Sequence, residues 1–227
     1  MNQEPFPIVE PQMSQGPRPF SEIPPLWLKF FRMTEEFFNQ EAPRFGNANT
    51  FLAVLIASVF GAILGVISQF TSSSFQSSWM KNLYPESIPQ DFMPQYGIGA
   101  TGLFLIALLA LSIAAFYISA GLVYFTARLL GGNGSFGIQA YLFSLITVPM
   151  SFLSGLVNII PCIGWLITIG LSIFALVLEV RAVKVAHNLT SGKAAGAVLI
   201  PVALLFVAVW CLLIIGIAVF LIMYRAL

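Results

Sequence analysis

The chain has 227 residues, 58% of them hydrophobic and only 8% charged. A soluble domain carries about 25% charge, so a soluble globular class is excluded and an integral membrane protein is expected. The formal net charge of +1, with no basic patch away from the apolar runs, argues against a nucleic-acid partner. Two cysteines and a single histidine supply neither a disulfide framework nor a spaced zinc-ligand set, so no metal or cofactor is expected.

Residues 1–25 are polar and rich in proline, which reads as a flexible tail without a cleavable signal sequence. From Leu26 to Glu41 the pattern changes. Trp27, Phe30, Phe31, Phe37 and Phe38 gather on one face, opposite Lys29, Arg32, Glu36, Asn39 and Gln40. That pattern predicts an amphipathic helix lying in the membrane interface, anchored by Trp27, Phe30, Phe31 and Phe38, with residues 26–46 serving as helix and linker. The alternative is a helix docked on the protein's own loops.

Residues 47–227 hold five apolar runs, and about twenty such residues cross a bilayer core. The first, 51–70, carries Ala57, Gly61 and Gly65 as a ridge of small residues that lets another backbone come close. A polar loop over 71–99 follows. The second run, 101–127, presents Ala107, Ala110, Ala114 and Gly121, and ends at Arg128. A link of Gly131, Gly132, Asn133, Gly134 and Ser135 reads as a flexible turn; it lacks the Lys-Ser/Thr pair and preceding strand of a phosphate-binding loop. The third run, 138–159, contains Pro149, which should kink it. A tight hairpin around Cys162 leads into the fourth, 163–186, and the fifth covers 197–224.

The fourth run is the unusual one, because Glu179 interrupts it. A carboxylate inside a membrane costs roughly 2.5 kcal/mol or more at the centre. Thr168, Ser172, Ala175, Glu179, Ala182 and Ala186 recur on one side of the helix as a packing seam, whereas Arg181 projects from the other. Glu179 lies roughly 7–8 Å deeper than Lys184, at the depth expected of Arg128, Tyr124 and Tyr141. The expectation is a buried ion pair between Glu179 and Arg128, with a proton or cation relay as the alternative. His187 is expected to be interfacial and solvated. Arg181, Lys184 and Lys193 are expected to contact anionic lipid headgroups or to enforce topology.

Placing the amino terminus in the cytoplasm puts Arg18, Lys29, Arg32, Arg44, Arg128, Arg181, Lys184 and Lys193 inside, against Lys81 and Arg225 outside. The expected topology is therefore N-in and C-out, in a bacterial plasma membrane. It leaves the formal glycosylation acceptor Asn188-Leu189-Thr190 inside.

The order of these features, with GSFGIQAYLFSLITVP after the glycine-rich link and EVRAVKVAHNLTSGKAAGAVLIP closing the fourth run and opening the fifth, resembles the Yip (Ypt-interacting protein) domain family over about residues 30–225. The resemblance implies a five-helix, all-α membrane domain. For eukaryotic members it implies vesicle traffic and Rab-type GTPase partners. The Asp-Leu-Tyr-Gly-Pro segment of those members is missing here, so the resemblance is to prokaryotic members and a Rab-type GTPase is a doubtful partner. The function expected is a membrane scaffold, organising or trafficking-related protein that works with the lipid bilayer and with further copies or other membrane proteins. A small-solute or ion transporter is the alternative. No paired carboxylates, nucleophile set or nucleotide loop favours an enzyme.

Overall fold

The structure, a computed structural model, describes residues 16–83, 98–160 and 163–226. Residues 1–15 of the flexible tail expected over 1–25, residues 84–97 of the loop expected over 71–99, and Cys162 lie outside the described residues. Every regular element among the described residues is helical: α1 (Pro24–Trp27), α2 (Glu35–Glu41), α3 (Asn47–Leu83), α4 (Ile98–Leu129), α5 (Phe136–Val157), α6 (Ile163–His187) and α7 (Ser191–Ala226). Among the described residues five stretches are long and apolar enough to cross a membrane, namely Asn47–Gln69, Leu105–Leu129, Phe136–Val157, Ile163–His187 and Ser191–Ala218. The chain is an all-α, multi-pass integral membrane protein.

α3 runs on to Leu83, into residues expected to be loop. Serine is neutral enough to continue a helix that is already nucleated, and no proline interrupts α3 before Leu83. The five long helices close a ring in the order α3, α5, α6, α7, α4, with α4 also touching α5 and only grazing α6. α5 is the most enclosed: residues Gln139 to Ile146 are all buried. Gly155 makes that packing close, because a Cβ there would stand 2.7 Å from a methyl carbon of Leu64 on α3. On α4 the buried stripe is Ala120, Val123 and Ala127, not the expected Ala107, Ala110 and Ala114, which face outward. On α3, Ala57 is buried but a Cβ on Gly61 or Gly65 would meet only open space.

Proline explains one joint of the ring. Pro201 lies inside α7 and has no N–H, so the carbonyl of Ala197 one turn earlier loses its helical donor. Thr126 on α4 replaces it, its hydroxyl donating to Ala197 O at 2.6 Å. Thr126→Val keeps the shape and leaves that carbonyl without a donor. The expected loss is about 1–3 kcal/mol, read as a lower unfolding temperature in detergent, while Thr71→Val, at an exposed hydroxyl bonded only to its own helix, is expected to change little.

Candidate functional site at the basic end of the bundle

The segment before α3 folds back as a cap over the end of the bundle where α4 and α6 finish and α5 and α7 begin. It is not one amphipathic helix. Thr34 starts α2 by accepting from Phe37 N at 3.3 Å, and this capping holds Met33 and Thr34 extended, between a short 3-10 turn at Phe30–Arg32 and α2. The break has a tertiary use. Arg181 Nη1 donates to the Met33 carbonyl at 3.0 Å, and Lys184 Nζ reaches both oxygens of Glu35, at 2.7 and 2.8 Å. The second pair is partly exposed and contributes little by itself.

The stronger clamp lies deeper. Arg18 donates to Glu41 through Nε at 2.9 Å and through Nη2 at 2.6 Å, while the Tyr141 hydroxyl donates to the same carboxylate at 3.2 Å. Glu41 and Tyr141 are buried. Burial works to lower the Arg18 pKa, but the hydrogen bonds and charge of Glu41 outweigh it and the guanidinium is held above its usual value. Arg18 Nη1 also bonds Glu22 at 2.9 Å, and its backbone N–H donates to Arg44 O at 3.1 Å. Residues 18–25, expected to belong to a flexible tail, are thus part of the packed cap.

Beside the cap, the glycine-rich link is seated tightly. Gly131 takes φ +94°, and Gly131 and Gly132 donate to Arg128 O and Ala127 O, ending α4 in a Schellman turn. Asn188, at φ +53°, ends α6 likewise, with Leu189 N donating to Lys184 O. The two turns touch: Asn133 N donates to His187 O at 3.3 Å and Asn188 Nδ2 to Asn133 Oδ1 at 3.2 Å. His187 is not solvated. It is 1% exposed, with Nε2 2.7 Å from Gln139 Oε1, and Gln139 in turn donates to Ala120 O at 2.9 Å. Because the Gln139 oxygen accepts, Nε2 carries the proton, and the network ties α4, α5 and α6 together.

Two clefts open on this framework. One, about 640 Å³, lies between the cap and helices α3 and α5, with apolar walls that include Trp27, Leu28, Phe31, Ile56 and Phe60. The other, about 540 Å³, lies between α3, α4 and α5 and carries Ser58, Ser112, Ser119, Thr147 and Ser151. Among the described residues no group of His, Cys, Asp or Glu gathers as a metal-ligand set.

A cap clamped by Arg18 and Glu41 on a five-helix ring, with the sequence signature at the α4–α5 and α6–α7 junctions, invites comparison with known families. The Yip1 domain profile matches residues 30–213, most of the chain. The chain belongs to the Yip1 domain family. No curated protein and no solved structure matches it significantly.

Within this Yip1 domain the residues singled out in the sequence fall differently from expectation. Glu179 and Arg128 do not pair: where α4 and α6 touch, the Tyr124 ring packs against His187, eight residues along α6 from Glu179. Arg128 instead bonds Tyr124 through Nε at 3.0 Å and lies over that ring. Glu179 makes no ion pair or hydrogen bond among the described residues. The seam on α6 is real at its basic end, where Ala175, Ala182 and Ala186 are buried, but Ser172 is exposed. Arg181 and Lys184 hold the cap, which removes them as free lipid contacts; Lys193 stays exposed beside Gly131. Of the four anchors, Phe30 and Phe38 are buried in the protein core and Trp27 is half-buried, whereas Phe31 is 64% exposed beside Leu28 at 88%. Docking on the protein's own helices therefore accounts for most of the aromatic face. Arg18 and Glu41 went unrecognised in the sequence, although Glu41 sits three residues after Phe38 and so shares its buried face.

Proposed function

We propose that this Yip1-domain protein is a non-enzymatic membrane-organising scaffold, with its capped end in the cytoplasm of a bacterial cell. The observation that supports this is the clamp of Arg18, Glu41 and Tyr141, which makes the cap and the five-helix ring one body and fixes a shaped polar surface at the membrane. Such a surface can gather lipids, further copies of the chain or other membrane proteins without chemistry. The eight-to-two bias of basic residues towards the capped end supports the orientation.

The test is reconstitution. Purified protein in vesicles is expected to alter vesicle diameter or induce tubules as its density rises, and to leave entrapped small solutes in place. In cells, with Cys162 and Cys211 replaced by serine, a cysteine at position 86 is expected to react with an impermeant maleimide and Asn133→Cys to be spared. Unchanged vesicles at high density would end the scaffold reading, and the opposite labelling would end the orientation.

A transporter is the second reading, favoured by the hydroxyl groups of Ser58 and Thr147 in the cleft between α3, α4 and α5. It requires solute flux in the same vesicles that falls in Ser58→Val and Thr147→Val.

A further inference from the structure

We propose that two copies of the chain pack side by side, each seating the part of its α7 beyond Pro201 in the hydroxyl-lined cleft that α3, α4 and α5 form on the other. The proposal rests on the scaffold reading and names the contact through which copies gather.

The cleft, about 540 Å³, differs from a lipid-facing surface in its polar groups. The hydroxyls of Ser112, Ser119 and Thr147 donate back to the carbonyls of Leu109, Phe116 and Phe143 on their own helices, each at 2.9 Å. Their hydrogens are engaged, so what they offer an occupant is lone pairs. Ser58, in the same wall, is 8% exposed, and its hydroxyl has no hydrogen-bond partner among the described residues. The fitting occupant is therefore apolar in bulk and carries a hydrogen-bond donor. A lipid chain carries none.

α7 has both properties. Every residue from Val202 to Ala218 is exposed, so no face of this stretch packs on its own bundle. Its aliphatic side chains face lipid without loss, but Trp210 also carries an indole N–H, which has no acceptor among the described residues. Level selects the partner. At about 1.5 Å per residue, the cleft hydroxyls lie roughly 15–26 Å from the basic end along α3, α4 and α5, with Ser112 the farthest. Trp210 lies roughly 28 Å along α7, and a helical side chain leans back towards the start of its helix. Copies in one bilayer share an orientation, so the indole of one reaches the level of Ser112 on the other. Small residues such as Ala57, Gly61 and Ala115 let the helix come close, which brings carbonyls with a spare lone pair to Ser58. α7 and the cleft flank α4 on opposite sides, so a two-fold axis beside α4 makes both contacts at once and closes the pair.

Two populations of the full-length protein, both with Cys162→Ser, are reconstituted together in phosphatidylcholine vesicles. One retains Cys211, an exposed thiol next to Trp210. The other carries Cys211→Ser, Ser112→Cys and a different affinity tag. A short bifunctional methanethiosulfonate is expected to link the two tags, and the population retaining Cys211 is expected to give no link with itself. Energy transfer between fluorescently labelled copies, followed as lipid is added, is expected to show association that weakens about fivefold in Trp210→Phe, which keeps an aromatic ring and loses the N–H. Ser112→Ala is expected to do the same, and the double change to be no worse than either alone. Both side chains are exposed in the single copy, so these variants keep the fold. Energy transfer without a link between the tags, a link from Cys211 to Cys211, or a Trp210→Phe variant that associates as tightly as the parent overturns the proposal. Vesicles that tubulate without the link leave the scaffold reading standing, whereas linked pairs in vesicles of unchanged shape end that reading alone.

Discussion

Glu41→Ala is expected to lower stability in detergent by about 3 kcal/mol, because it leaves the largely buried guanidinium of Arg18 with only the half-exposed Glu22 as a partner. It also leaves the hydroxyl of Tyr141, itself fully buried, without its acceptor. For a chain of this length that corresponds to a fall in unfolding temperature of about 6 °C or more. Arg18→Ala is expected to be comparably damaging, since the carboxylate is then the unpaired charge. The double change Arg18→Met with Glu41→Leu removes both charges and is expected to recover at least about 1 kcal/mol relative to additivity. Thermal unfolding followed by size-exclusion fluorescence gives these values. Limited trypsinolysis gives the location: in the single variants the cap should release, exposing Lys29 and Arg32 to cleavage while the helical ring survives. Additive single effects, with cleavage rates at the cap unchanged, would show that Arg18 and Glu41 do not act together.

The spans were readable from the sequence because hydropathy over some twenty residues is a bulk property, and it survives ignorance of every neighbour. Helix neighbours are different. Counting residues puts Glu179 and Arg128 at about one depth, but which residues meet depends on how α4 and α6 are set against each other, and it is Tyr124, the partner of Arg128, that packs on His187. The small residues of α4 show the same limit: Ala107, Ala110 and Ala114 are as suited to packing as Ala120 and Ala127, and only the placement of α5 and α7 selects the second set. The aromatic face of residues 26–41 was read correctly as apolar, yet a lipid interface and a protein core ask for the same face. What distinguishes them is the charge on it, and Glu41, one turn after Phe38, is a poor side chain to present to hydrocarbon and a good one to pair with Arg18. Pro201 is the more informative residue. A proline inside a span frees a carbonyl, and Thr126 supplies the donor.

Gly134→Ala is the second change expected to have a large effect, and its cause differs from the usual one for glycine. Gly134 does not hold a positive φ, so alanine fits its backbone conformation. What forbids the methyl is the backbone of α6: a Cβ at Gly134 would overlap the carbonyl oxygen of Ala186. The carbonyl of Ala186 lies in the last turn of α6, which the bond from Leu189 N to Lys184 O fixes, so the whole link must lift. Lifting it breaks the contact of Asn133 N with His187 O and the bond between the side chains of Asn188 and Asn133. It also loosens the lid over His187, whose Cβ is 2.9 Å from where a methyl on Gly132 would stand. Overpacking of this kind costs about 1–3 kcal/mol, and each broken hydrogen bond adds about 1 kcal/mol. Gly131→Ala is the control. Gly131 has φ +94° but open surroundings, with Lys193 Nζ 3.7 Å from the added carbon, so its cost is the left-handed strain alone, about 1–2 kcal/mol. The expected order of unfolding temperatures is wild type, then Gly131→Ala, then Gly134→Ala, with the last more sensitive to proteolysis near Lys184 and Lys193. If Gly131→Ala proves the more harmful of the two, the link acts through its own turn geometry and not through its contact with α6.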